Sequence, residues 1–168
     1  MKLEEAEHLA QELVALLEAH CERIAVAGSI RRRKPEVNDI DIVLIPKDPF
    51  LFNLHLVELQ RQGLLQAMVK KDGKTAEGGK VRYYIYKEAQ VDLYLATQQT
   101  WGTILLVRTG SKEHNIRLAS MAKSKGWKMH VSGEGLTDAQ GRRIAGDTEE
   151  SIFQALGLEY VAPEGREV

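Results

Sequence analysis

Leu9, Leu13, Leu16 and Leu17 recur at helical spacing near the start of the chain, with glutamates on the other face. They predict an amphipathic helix over 3–20. Two short apolar runs follow, 24–27 and 39–45, and each reads as a buried strand. Pro35 breaks any helix between them and Pro46 stops the second. Pro49 opens a helix over 50–62, which Gly63 ends. A strand over 65–70 and a turn-rich loop over 71–80 come next. An antiparallel pair over 81–86 and 90–96 turns at Lys87-Glu88-Ala89. Helices are expected over 100–107 and 111–125, broken at Thr109-Gly110-Ser111. Short strands over 127–130, 135–136 and 143–144 and a helix over 148–156 close the pattern. Trp101 and Trp127 are assigned to the core. The chain shows no repeat, low-complexity tract or Pro/Gly linker. The pattern predicts an α+β fold with a sheet-bearing part to about residue 97 and a helix-rich, then β-turn, remainder.

The 168 residues suffice for one compact domain or two small subdomains sharing a core. Cys21 is the only cysteine, which excludes an intramolecular disulfide and a cysteine-based zinc site. Met1-Lys2-Leu3-Glu4-Glu5 is not a secretory signal, and no apolar run approaches membrane-spanning length. A cytoplasmic protein without a membrane partner is expected. Formal net charge is −1, but its distribution is uneven. Residues 101–130 hold Arg108, Lys112, Arg117, Lys123, Lys125 and Lys128 against Glu113 alone, while residues 131–168 hold eight acids against three arginines. A basic centre between acidic ends suits a local phosphate-binding face, although a solvated helix face explains such a run equally well.

The candidate chemistry lies between the first two strands. Asp39 and Asp41 are spaced i, i+2, so on a strand they point the same way while Ile40, Ile42 and Leu44 point into the core. Two carboxylates side by side repel unless neutralised, and a divalent metal does this; Mg²⁺ prefers carboxylate oxygen together with substrate phosphate. An acidic pair is ordinary in a solvated turn, but inside an apolar β-run it weakens the strand. In the later strand Val91, Leu93 and Leu95 face the core, so Asp92 has the parity to lie beside the first two. Three carboxylates of this kind can bridge two metals, one activating a hydroxyl and one holding a triphosphate. Asp-x-Asp alone is a weak signal, shared by glycosyltransferases and phosphatases. Gly28-Ser29 upstream makes it more specific. Backbone amides in such a turn can hold phosphate, Ser29 can donate another hydrogen bond, and Arg32 can neutralise the same group.

Gly28-Ser29-x-Arg31-Arg32 followed by Asp39-x-Asp41 resembles the nucleotidyltransferase signature of the family X DNA polymerases, the polymerase beta relatives. Val91-Asp92-Leu93 resembles their third-aspartate strand. Arg108-Thr109-Gly110-Ser111-Lys112-Glu113-His114-Asn115 resembles their thumb motif, and Gly157-Leu158-Glu159-Tyr160-x-x-Pro163-Glu164-x-Arg166-Glu167 their ending. The resemblance implies a nucleotidyltransferase-type mixed sheet with flanking helices (palm, 1–97) and a small α/β thumb subdomain (98–168). It implies a DNA-directed DNA polymerase filling gaps in repair, acting on template-primer or gapped DNA with nucleoside triphosphates, and a monomer is expected. Asp39, Asp41 and Asp92 would be metal ligands for two Mg²⁺, with Mn²⁺ able to substitute, and Asp92 would also activate the primer 3′-hydroxyl. Gly28, Ser29 and Arg32 would hold the triphosphate. Thr109, Gly110 and Ser111 would form a turn, cis in the family, that reaches the sugar, and Asn115 would touch the incoming base. Lys112, Arg117, Lys123 and Lys125 would contact DNA, together with loops near 70–82.

The chain departs from the family at three places. Val107 and Arg108 replace the usual aromatic pair, which leaves acceptance of ribonucleotides open. Gln90 stands where an arginine is typical in polymerase beta. The length leaves no room for the lyase and fingers segments, so a palm and thumb like those of the small viral members are expected. Alternatives are a template-independent terminal transferase, an RNA or small-molecule nucleotidyltransferase, and a non-catalytic DNA-end-binding module. Gly73-Lys74-Thr75 is rejected as a P-loop because Met68 stands where the first glycine belongs. His8, His20, His55, His114 and His130 lack ligand spacing and are expected at the surface or as caps. Tyr83, Tyr84 and Tyr86 are expected in sheet packing rather than stacked on bases.

Overall fold

A computed structural model of the chain describes residues 1–69 and 80–167. The loop predicted over 71–80, apart from Lys80, and the Gly73-Lys74-Thr75 stretch lie outside the described residues. So does Lys70, the end of the strand predicted over 65–70.

A five-stranded mixed sheet forms the first layer. Its strands are β1 (Cys21–Val26), β2 (Ile40–Pro46), β3 (Gln66–Ala67), β4 (Val81–Tyr86) and β5 (Ala89–Leu95), in the spatial order β1-β2-β5-β4-β3. Among the described strands only β2 and β5 run parallel; their Cα register pairs Ile40 with Val91, Asp41 with Asp92 and Ile42 with Leu93. β1 begins at Cys21 rather than at residue 24, because it pairs with β2 as far as Pro46.

Alternation decides which layer covers each face. Ile40, Ile42, Leu44, Val91 and Leu93 lie on one face, buried against Leu13 and Leu17 of α1 (Leu3–Leu17) and Phe52 and Leu56 of α3 (Pro49–Arg61). Tyr84 and Tyr86 join this cluster, as expected of sheet packing. The N-terminus of α3 is set by Pro49 at its start and by Asp48, whose side chain accepts from the Leu51 amide at 3.0 Å.

On the opposite face Val43, Ile45, Tyr94 and Ala96 pack against Trp101, Ile104 and Leu105 of α4 (Trp101–Thr109). Behind α4 lie α5 (Lys112–Ser124), a three-stranded antiparallel sheet of β6 (Lys128–His130), β7 (Gly135–Thr137) and β8 (Arg143–Ala145), and α6 (Glu149–Ala155). Leu106, Leu118, Leu136, Ile152 and Phe153 form their common core. Trp101 is buried and Trp127 packs partly buried against that last cluster. Gly102 permits the close crossing of α4 and α6: a Cβ there would lie 2.5 Å from the Thr148 backbone. Thr148 and Ser151 close α6 with a reciprocal capping box. No described helix is long and apolar enough to cross a membrane.

Candidate active site

The stretch between β1 and β2 is not wholly irregular. A four-residue helix, α2 (Gly28–Arg31), starts directly after β1, where only a turn and basic loop were expected. Gly28 has φ +59°, and a Cβ on it would fall 2.0 Å from the Asp41 carboxylate oxygen Oδ2. The first residue of α2 must therefore be glycine for Asp41 to lie against it.

Asp41 and Asp92 face each other across the β2–β5 register on the α4 side of the sheet. Tyr83 is the Cα partner of Asp92 on the next strand. Asp39 and Asp41 are half-buried and Asp92 is almost fully buried. A carboxylate at that depth needs hydrogen-bond donors. Gln90 Nε2 donates to Asp92 Oδ1 at 3.0 Å and the Tyr94 hydroxyl donates to Oδ2 at 3.3 Å, both from the same face of β5. Burial, reinforced by the charges of Asp41 and Asp92, pushes the Tyr94 phenol far above its ordinary range, so it remains a donor. The Arg108 guanidinium lies 4.3 Å from the centre of the Tyr94 ring.

A cavity of about 520 Å³ opens beside these strands. Of the predicted residues, Gly28, Ser29, Arg32, Asp39, Asp41, Thr109, Gly110, Lys112 and Asn115 line it. Asp92, Ser111, Arg117, Lys123 and Lys125 are not among its lining residues; Lys112, Arg117, Lys123 and Lys125 are exposed along or just beyond α5. The Gly110–Ser111 peptide is cis. The Ser111 hydroxyl is turned inward. It donates to the Arg166 carbonyl at 2.7 Å and caps α5 by accepting from the His114 amide at 3.2 Å. Asn115 Nδ2 donates to the Val107 carbonyl at 2.8 Å, which fixes the side chain at the cavity wall.

Arg31 and Arg32 diverge. Arg31 turns into the protein, donating to Thr109 Oγ1 at 2.8 Å and to both carboxylate oxygens of Glu149 at 2.6 and 2.9 Å. Arg166, fully buried, donates to the same Glu149 at 2.6 Å. Burial works against the Glu149 charge, but these two arginines outweigh it and hold the carboxyl below its ordinary range. Arg32 stays at the cavity, donating to the Thr109 carbonyl and ion-paired with Glu167.

Sequence reasoning missed Glu149, Arg166, Tyr94 and the pairing of Glu167. The motif Pro163-Glu164-x-Arg166-Glu167 was visible, but partners as far apart as Arg31 and Glu149, 118 positions, leave no local signal. His114 needs correction: it is buried against Phe153 at 5.8 Å, not at the surface. Burial first, and then the charges of Arg166 and Arg117, lower its imidazole to about 4.

Three carboxylates form a hard, all-oxygen donor set, the chemistry that suits Mg²⁺. Among the described residues, no three His, Cys, Asp or Glu side chains converge closely enough to enclose an ion in the present arrangement. The donor types therefore fit the metal.

Residues 104–167 match the family described as DNA polymerase beta thumb. The chain is 29% identical to the DNA polymerase/3′-5′ exonuclease PolX of Bacillus subtilis (strain 168), over 96% of this chain and 26% of that protein. It is homologous to the family X DNA polymerases. DNA polymerase lambda of Rattus norvegicus is 25% identical over 83% of this chain and 28% of its own length. The chain thus spans about a quarter of the length of these curated relatives. Within the thumb match fall α5, the cis turn, Glu149 and Arg166, so the clasp around Arg31 joins the matched residues to the strand-bearing part of the chain.

Proposed function

We propose that the chain is a DNA-directed DNA polymerase that adds nucleotides to a primer 3′-hydroxyl and fills short gaps in repair. The observation that carries this reading is the Asp41–Asp92 pairing beside a cavity lined by Gly28, Ser29, Arg32, Gly110 and Asn115. The thumb match and the polymerase relatives support it. Residues 1–97 serve as palm and 98–168 as thumb.

Asp39, Asp41 and Asp92 would hold the metal ions. Two bound Mg²⁺ would supply charge neutralisation of the triphosphate and acidify the attacking hydroxyl. Asp92 receives the proton of the primer 3′-hydroxyl as the 3′-oxygen bonds to the α-phosphorus and pyrophosphate leaves. Ser29 and Arg32 orient the triphosphate, the Gly110–Ser111 backbone passes the sugar, and Asn115 meets the base edge. Lys112, Arg117, Lys123 and Lys125 take the DNA phosphates. Most of the rate enhancement comes from positioning and electrostatics, as in-line phosphoryl transfer requires.

The test offers gapped template-primer, blunt single strand, and each dNTP or NTP with Mg²⁺ or Mn²⁺ to the protein and to Asp92→Ala. Templated extension by the wild type alone is expected. Untemplated addition would replace this reading with a terminal transferase, and DNA binding without extension by either protein would leave an end-binding module.

A further inference from the structure

Two adjacent charges, Arg166 and Glu167, have different surroundings. Arg166 is locked in place: its carbonyl accepts from the Ser111 hydroxyl and, at 3.3 Å, from the Ser111 amide, while its Nε donates to the Val161 carbonyl at 2.9 Å. This anchoring delivers the next side chain, Glu167, to the mouth of the cavity. There its carboxylate pairs with Arg32 Nε and lies 3.6 Å from Lys34 Nζ. Arg32 and Lys34 both line the cavity.

The two ion pairs of the clasp differ in how readily they open. Glu149 is 4% exposed and shared by two arginines, so breaking it strands buried charge. Glu167 is 38% exposed and can leave for water. Arg32 does not depend on Glu167 for its orientation, because it also donates to the Thr109 carbonyl. On release of Glu167 the guanidinium stays aimed at the cavity, with one edge open.

We infer that Glu167 is an affinity-setting residue: an internal carboxylate that occupies the Arg32–Lys34 cation pair and must be displaced by the triphosphate. This rests on the reading of Arg32 as a triphosphate contact. The carboxylate competes for the same donors and, by its charge, opposes any polyphosphate beside it. It therefore weakens nucleotide binding and hastens departure of pyrophosphate, which meets the same competitor.

Calorimetric titration of dATP with Mg²⁺ into the full chain, without DNA, tests it in four proteins: wild type, Glu167→Gln, Arg32→Ala and the double variant. Glu167→Gln is expected to bind about 3- to 10-fold more tightly than wild type, within the range for a partly exposed pair plus the relief of like charge. With Arg32 replaced, the Glu167→Gln gain is expected to vanish. Equal affinities of wild type and Glu167→Gln, or a gain that persists in the Arg32→Ala background, overturn the inference while leaving the nucleotide site intact. Absence of binding by all four folded proteins, checked by circular dichroism, removes the triphosphate reading of Arg32 and the inference with it.

Discussion

Tyr94 donates its hydroxyl to Asp92 from two residues further along the same strand, at 3.3 Å. Its ring is clamped on the other side by Arg108, at the C-terminal end of α4. Asp92 is thus oriented by a neutral donor whose ring Arg108 holds in place. Tyr94→Phe keeps the ring and the Arg108 contact and removes only the hydroxyl. The expected result is a fall in kcat for primer extension of about 5- to 10-fold, with little change in KM for nucleotide and an unchanged melting temperature. Steady-state kinetics and a thermal melt check it. A parallel rise in KM and loss of melting temperature would mean that the hydroxyl serves packing alone.

The clasp of Arg31, Glu149 and Arg166 makes a separate prediction about stability. Glu149→Gln leaves two arginines without their charge partner, one of them fully buried, and should cost about 3–5 kcal/mol in urea denaturation at pH 7. Because the Glu149 carboxyl is lowered in the folded state, its contribution is present above the ordinary value of 4.5 and is lost as pH falls through the lower folded value. The gap between wild type and Glu149→Gln should therefore narrow in acid below about pH 4.5. A gap of constant size at every pH would show that the charge is not what stabilises the contact.

His114 acts in a different window. An imidazole ordinarily near 6.5 is held at about 4 in the fold. Between those values the unfolded chain binds a proton that the folded chain does not, so stability declines as pH falls from 6.5 toward 4. His114→Phe removes that proton uptake. Its loss of stability between pH 8 and pH 5 should be smaller than that of wild type by about 1–2 kcal/mol, read from urea melts at each pH.

The exposed cations of α5 predict a salt effect. If Lys112 and Arg117 meet DNA phosphates, Lys112→Ala and Arg117→Ala should each weaken binding to a gapped duplex and flatten the plot of log affinity against log salt by about one unit. Fluorescence anisotropy over a salt series measures the slope. An unchanged slope in both variants would move the DNA contact elsewhere on the surface.

Much of the site was legible because strand geometry is simple. Side chains on a strand alternate, so parity along 39–45 and 90–96 puts Asp41 and Asp92 away from the core-facing residues without knowledge of the pairing. The helix starts at Pro49 and Thr148 and the break at Gly110 were equally local, because caps and prolines act within a turn of where they stand. The extent of β1 was less legible, since it depends on how far β2 runs beside it. The burial of His114 was not legible at all, because the ring is enclosed by Phe153 of α6.

Arg31 and Arg32 mark the boundary between the two kinds of information. The residues alone give two adjacent arginines after a Gly-Ser step and point to Arg32 as the phosphate contact, with no partner for either. The fold supplies the partners: Arg31 enters a buried pair with Glu149, while Arg32 remains at the cavity against Glu167. The physical reason is that successive side chains on a helical turn diverge by about 100°. The carboxylate that each then meets comes from more than a hundred positions away.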